Sequence, residues 1–148
     1  MKNLWFILLA ISLIGMTCTD DATSKNKSEE ITLKTNEVNI IPNSNNAMSA
    51  SLIKVADNRC AKSMCDKCFG SKADISLSIS NSESAKVIIN LAIVGCVDEI
   101  SNNPDTYPWG EGVDTLGYKF QLVKLSPYPD VNSINENDYV AKIKITKL

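Results

Sequence analysis

The sequence predicts an all-β protein: a single antiparallel β-sandwich of about seven strands, Ig-like, behind a signal peptide and a flexible tether. Three observations carry that prediction. Apolar residues recur at every second position over most of the chain, which places them on one face of extended strands. Turn-forming stretches separate these runs at the spacing of a sandwich. No long helical pattern competes with them. The 148 residues, 44% of them hydrophobic, with 15 basic and 17 acidic side chains, have the composition of one small globular domain.

Taken in order, the chain opens on a leader. One cation, Lys2, precedes the uninterrupted run from Leu4 to Met16, which has the length of a signal-peptide core and is short for a membrane span. Residues 1–17 therefore read as a secretory leader. Cys18 closes the run and is followed at once by the polar Thr19-Asp20-Asp21-Ala22-Thr23-Ser24-Lys25. That arrangement resembles a bacterial lipoprotein signal, in which the cysteine is lipidated and becomes the mature N-terminus. The acidic Asp20 and Asp21 resemble the surface-export signal of Bacteroidetes-type lipoproteins. Residues 18–30 are polar and without an apolar period, as a flexible tether would be.

The domain is expected over residues 31–148. Ile75, Leu77 and Ile79 alternate with serines, and Val87, Ile89, Leu91 and Ile93 repeat the pattern in a more apolar run. Tyr118, Phe120 and Leu122 form another strand. Tyr139, Ala141, Ile143 and Ile145 alternate against Val140, Lys142, Lys144 and Thr146 in the last. Weaker signals at 31–35, 37–41 and 49–56 bring the total to about seven. Turn-rich stretches at 42–46, 81–84, 101–112 and 126–137 separate them. Lys142, Lys144 and Lys147 keep a sheet edge or face soluble.

Composition removes several functions. The chain has no histidine, which excludes Ser-His-Asp triads, Cys-His dyads and imidazole bases. Without the leader's Lys2, 14 basic residues face 17 acidic ones, a net charge of −3. A nucleic-acid partner is not expected from that balance.

Cys60, Cys65, Cys68 and Cys96 follow the pattern C-x4-C-x2-C with a distant fourth. In an exported chain, four cysteines most simply form two disulfides, with three connectivities open. The spacing is also that of plant-type [2Fe–2S] ferredoxins, where four thiolates hold a cluster, and four thiolates also suit zinc. Export as an unfolded chain argues against a cluster. A thiol-exchange role for Cys65 and Cys68 needs the first sulfur at a helix N-terminus, and no helix is predicted there.

The long connection from Asn102 to Asp114 contains Tyr107 and Trp109. Aromatics on such a loop are candidates for binding a protein or glycan ligand. Nothing in the sequence fixes Asp105, Glu111 and Asp114 in a calcium geometry, the stretch from Asp130 to Asp138 lacks the glycine and ligand spacing of an EF-hand loop, and these side chains read as solvated carboxylates.

Asp57-Asn58-Arg59-Cys60, then Gly70-Ser71, then Val94-Gly95-Cys96, and finally Ser126-Pro127-Tyr128-Pro129 ahead of the last strand resemble a group of small uncharacterised Bacteroidetes-type lipoproteins. Those proteins carry an Asp-Ser-Arg-Cys-Pro start, a cysteine shortly before a glycine, and a Pro-Tyr-Pro turn. Here Asn58 stands for the serine, Ala61 for the proline, and Cys68 is additional. The resemblance covers most of residues 50–148 and implies location and fold, with no activity attached. Beside it stands the expected pairing of Cys60 with Cys65 and of Cys68 with Cys96.

The sequence thus predicts a lipid-anchored, disulfide-stapled module of the cell envelope, held at the outer membrane, with a periplasmic and a surface-facing placement both open. It is expected to bind or support, without catalysis and without a cofactor. The competing expectation is thiol chemistry, by exchange at Cys65 and Cys68 or by metal held on the four cysteines.

Overall fold

The alternating runs pair as expected. In the computed structural model, residues 27–44, 47–83, 85–97, 99, 112–129 and 134–148 are described. Cys18, Asp105, Tyr107, Trp109 and Glu111 lie outside them. Eight strands form two four-stranded antiparallel sheets: β1 (Ser28–Lys34), β8 (Val140–Lys147), β7 (Tyr118–Ser126) and β6 (Val113–Thr115) in one, and β2 (Val38–Ile40), β3 (Ser49–Asn58), β4 (Lys72–Ser80) and β5 (Lys86–Val94) in the other.

Seven of these strands answer the sequence pattern. The eighth, β6, is three residues long and too short to show a period. It forms because Leu116 and Gly117 both take positive φ, at 50° and 78°. That conformation makes a two-residue hairpin turn with the twist the strands need. β1 begins at Ser28, inside the segment that composition assigns to the tether. Cross-strand pairing is the reason, since Glu30 lies opposite Lys144 and forms an ion pair with Lys142.

The sandwich stands as predicted, and within it β2 to β5 and β6 to β8 each follow one another in chain order, with β1 beside β8, rather than through the Greek-key connections of an immunoglobulin domain. Short turns at 35–37 and 81–85 make sequence neighbours pair or abut. β8 returns to pair with β1, from Ser28 opposite Thr146 to Lys34 opposite Val140. The last strand is therefore central in its sheet, and its lysines lie on a sheet face.

Both inner faces supply the core. Leu33, Phe120, Leu122, Leu125 and Ile143 from one sheet meet Leu52, Ile75, Leu77, Ile79 and Ile93 from the other, all of them buried. Burying a side chain of this kind contributes about 1.5–3 kcal/mol.

Two β-bulges decide what lies at one end. The β3–β4 register shifts between Leu52 and Lys54, and the β7–β8 register between Leu122 and Lys124. One extra residue reverses which face each later side chain occupies. Ala50 and Leu52 point inward before the first bulge, and Val55 points inward after it. Unbroken alternation would have turned Lys54 inward and Asp57 and Arg59 outward. The bulge at Ile53 does the opposite.

Candidate functional site

The four cysteines of the spacing pattern and the segments 57–60, 70–71, 94–96 and 126–129 converge at one end of the sandwich. β3, β5 and β7 finish there, and β4 and β8 begin there. Three connections meet: residues 59–71, the segment after Val94, and the segment after Ser126.

Arg59 lies at the centre, 5% exposed. Its backbone N–H and its Nε both donate to Asp57 Oδ1, at 3.0 and 2.9 Å, and Nη2 donates to Oδ2 at 2.6 Å. Nη1 donates to the carbonyls of Val97 and Leu125 at 3.1 and 3.0 Å, and Nη2 also to that of Pro127 at 3.1 Å. Each of the five guanidinium N–H groups thus has an acceptor. The guanidinium also lies 4.8 Å from the centroid of the Tyr128 ring, a cation–π distance. Both members of the Asp57–Arg59 ion pair are buried. Such a pair holds only because every donor is matched.

Two more groups close the cluster. The Tyr128 hydroxyl donates to the Cys60 carbonyl at 2.7 Å. Ser71, buried, accepts from the Cys60 N–H at 3.0 Å and donates to the Gly95 carbonyl at 3.2 Å. Tyr139 is buried beside Asp57, and its phenol is pushed up to about 12. Burial is the main cause, reinforced by the charge of Asp57 and a hydrogen bond to it, opposed by Arg59 and reinforced again by Glu136.

The disulfides differ from the expected pairing. Cys60 bonds Cys68, with Cα atoms 6.3 Å apart, and Cys65 bonds Cys96, at 5.8 Å. Hairpin closure is the physical reason. Asn58 lies opposite Lys72, so the connection folds back on itself and brings Cys60 against Cys68. Cys65 sits further out, in the short 3-10 helix Lys62–Lys67. It faces Cys96, one residue past Gly95, whose N–H donates to the Ser71 carbonyl at 2.7 Å.

Paired in this way, the sulfurs offer no thiolate to a cluster or a metal. Cys65 lies within a helix of six residues and Cys68 just after it, so neither has the N-terminal position that activates a thiol. Among the described residues no group of three or more His, Cys, Asp or Glu side chains is placed to hold a metal ion. Asp114 lies in β6 opposite Lys119. Of the ligand-binding candidates, Tyr107 and Trp109 fall outside the described residues.

The stapled end presents apolar surface instead. Phe69 is 98% exposed and Met64 57%, with Val94 and Val97 also exposed. A shallow groove of about 330 Å3 runs alongside, lined by Cys65, Asp66, Cys68, Gly70, Val94 and Cys96 among others.

Spacing and periodicity alone do not reveal Arg59, Asp57 or Ser71, and they place Tyr139 on the buried face of the last strand without marking its place beside Asp57. One signal was present. Among 15 basic residues Arg59 is the single arginine, and arginine is the cation suited to a buried, five-donor role. No family model, no curated protein and no solved structure matches this chain.

Proposed function

We propose that the chain is a cell-envelope lipoprotein, anchored through a lipid on Cys18, and that its cystine-stapled end is a non-catalytic module binding a protein partner. The observation that carries this reading is Phe69, almost fully exposed between Cys68 and Gly70 on a loop closed by two disulfides. An exposed aromatic on a rigid frame binds with little loss of entropy, and aromatics dominate interface hot spots. The chain enters at the opposite end. Ser28 lies opposite Thr146, whereas Phe69 follows the far end of β3. A lipid on Cys18 would therefore hold the Phe69 loop away from the bilayer, facing a partner.

The test has two parts on the full chain exported behind its own leader. Intact mass with thiol counting is expected to show a lipid adduct on Cys18 and no free thiol. Free thiols reacting at Cys65, or bound zinc, would transfer the function to sulfur chemistry. A photoreactive phenylalanine analogue at position 69, irradiated in intact cells, is expected to give one discrete protein adduct. Labelling of lipid alone, or no adduct, would sink the binding reading.

A further inference from the structure

Among the described residues, the outer edges of the two sheets are unequal. β1 carries Glu29, Glu30 and Lys34, while β6 and β2 are three residues each. β5 is nine residues long, with the sequence Lys-Val-Ile-Ile-Asn-Leu-Ala-Ile-Val. After Lys86 it contains no charge, no proline and no glycine, and its register with β4 is unbroken from Ser80 opposite Lys86 to Lys72 opposite Val94. Proteins normally blunt a long free edge with charge, proline or a bulge. Beyond Lys86 this one has none of these.

The backbone shows which groups are free. The Gly95 N–H bonds the Ser71 carbonyl and the Asn81 N–H bonds the Ala85 carbonyl. Those two pairs fix the alternation of the antiparallel ladder, so Val87, Ile89, Leu91 and Ile93 bond β4. The N–H and C=O groups of Lys86, Ile88, Asn90, Ala92 and Val94 then point along the free edge. Among the described residues no backbone bond outside the ladder engages them. Ile88 is 60% exposed.

The geometry points to a second copy of this chain as the occupant, its β5 pairing antiparallel with β5 about a twofold axis at Asn90. Two four-stranded sheets would join into one of eight strands. The strand matches itself in this register. Ile89 of one copy falls opposite Leu91 of the other, Val87 opposite Ile93, and Ile88 opposite Ala92, so inward residues meet inward and outward meet outward. Charge is compatible as well. Each Lys86 falls opposite Val94, and the two lysines lie roughly 26 Å apart along the strands. About ten backbone hydrogen bonds would form. A closed twofold contact of this kind is the commonest form of homo-oligomer.

The test is the mass of the full chain, exported, oxidised and purified in mild detergent, measured by light scattering over a wide range of concentration. A particle of twice the chain mass is expected. Ile88→Lys should give a single-chain particle with unchanged melting, because the side chain is exposed, and Ala92→Lys should do the same from the facing position. Val38→Lys, on the other edge of the same sheet, should remain double. A wild-type chain of single mass at every concentration would overturn the inference. So would double mass in whichever of the two β5 variants folds, or dissociation by Val38→Lys, which would place the contact on β2. None of these results bears on the Phe69 loop.

Discussion

The two ends of the sandwich are held by different chemistry. At the end where the chain enters, the hairpin turns at 81–85 and 116–117 are short and local groups hold them. The Asn81 side chain accepts from the N–H groups of Glu83 and Ala85, and Leu116 and Gly117 turn β6 into β7. At the other end, the connections after Asn58, Val94 and Ser126 are long and their partners are distant in sequence. Arg59 reaches Leu125 and Pro127, 66 and 68 residues on, and Cys65 reaches Cys96, 31 residues on. Short turns fix their own geometry through backbone preference. Long connections do not, and here a buried cation and two disulfides do it instead.

Breaking the cation should separate the ends most. Arg59→Met leaves Asp57 buried without its counter-charge and three carbonyls without a donor. The expected loss is about 3–5 kcal/mol, read as a lower midpoint in chemical denaturation. Arg59→Lys should recover little, because one ammonium cannot match five acceptors. A small loss in both variants would mean that the disulfides alone hold this end.

The disulfides come next and should differ from each other. By loop-closure entropy, replacing Cys65 and Cys96 by serine removes a 31-residue constraint worth about 3.7 kcal/mol, whereas the 8-residue loop of Cys60 and Cys68 is worth about 2.5 kcal/mol. Denaturation of the two double variants checks the order. Equal losses would show that the unfolded chain is already constrained near Cys60.

A pH series sharpens the comparison further. The Tyr139 phenol is raised from 10.0 to about 12 in the folded chain. The unfolded chain loses this proton first, so stability is intact below pH 10 and falls as pH rises from 10 toward 12. The shift corresponds to roughly 2–3 kcal/mol. Tyr139→Phe should flatten the fall in melting temperature over that window. An unchanged slope would remove Tyr139 from the cause. At the opposite end Asn81→Ala should cost the least, about 1 kcal/mol, and a larger loss would show that the turn supports more than itself.

The strands were legible because alternation reports a half-buried sheet directly, as in Ile75, Leu77 and Ile79. Strand β6 was not, since three residues cannot display a period. The site was legible only as fragments. Cysteine spacing located the stapled loop, and Asp57, Arg59, Ser71 and Tyr128 stand in short motifs beside cysteines and prolines, yet nothing in the sequence assigned them contacts. The reason is the bulge at Ile53. Read forward from Ala50 and Leu52, alternation puts Arg59 in solvent, and one unpaired residue reverses that. The cystine pattern was misread for a related cause. Pairing by nearness in sequence ignores that a hairpin brings the two arms of its loop together, here Cys60, two residues after Asn58, and Cys68, four residues before Lys72.

The antiparallel match of β1 with β8 has a mechanical consequence. The chain enters at Ser28 and runs the length of its sheet toward the end that displays Phe69. A pull between an anchor before Ser28 and a load at Phe69 therefore acts along β1. It strains the rungs from Ser28 to Lys34 in shear, all at once, instead of peeling them one by one. The core resists in the same direction. Under such traction the first strand would give way late, and the stapled end would stay folded while it is held.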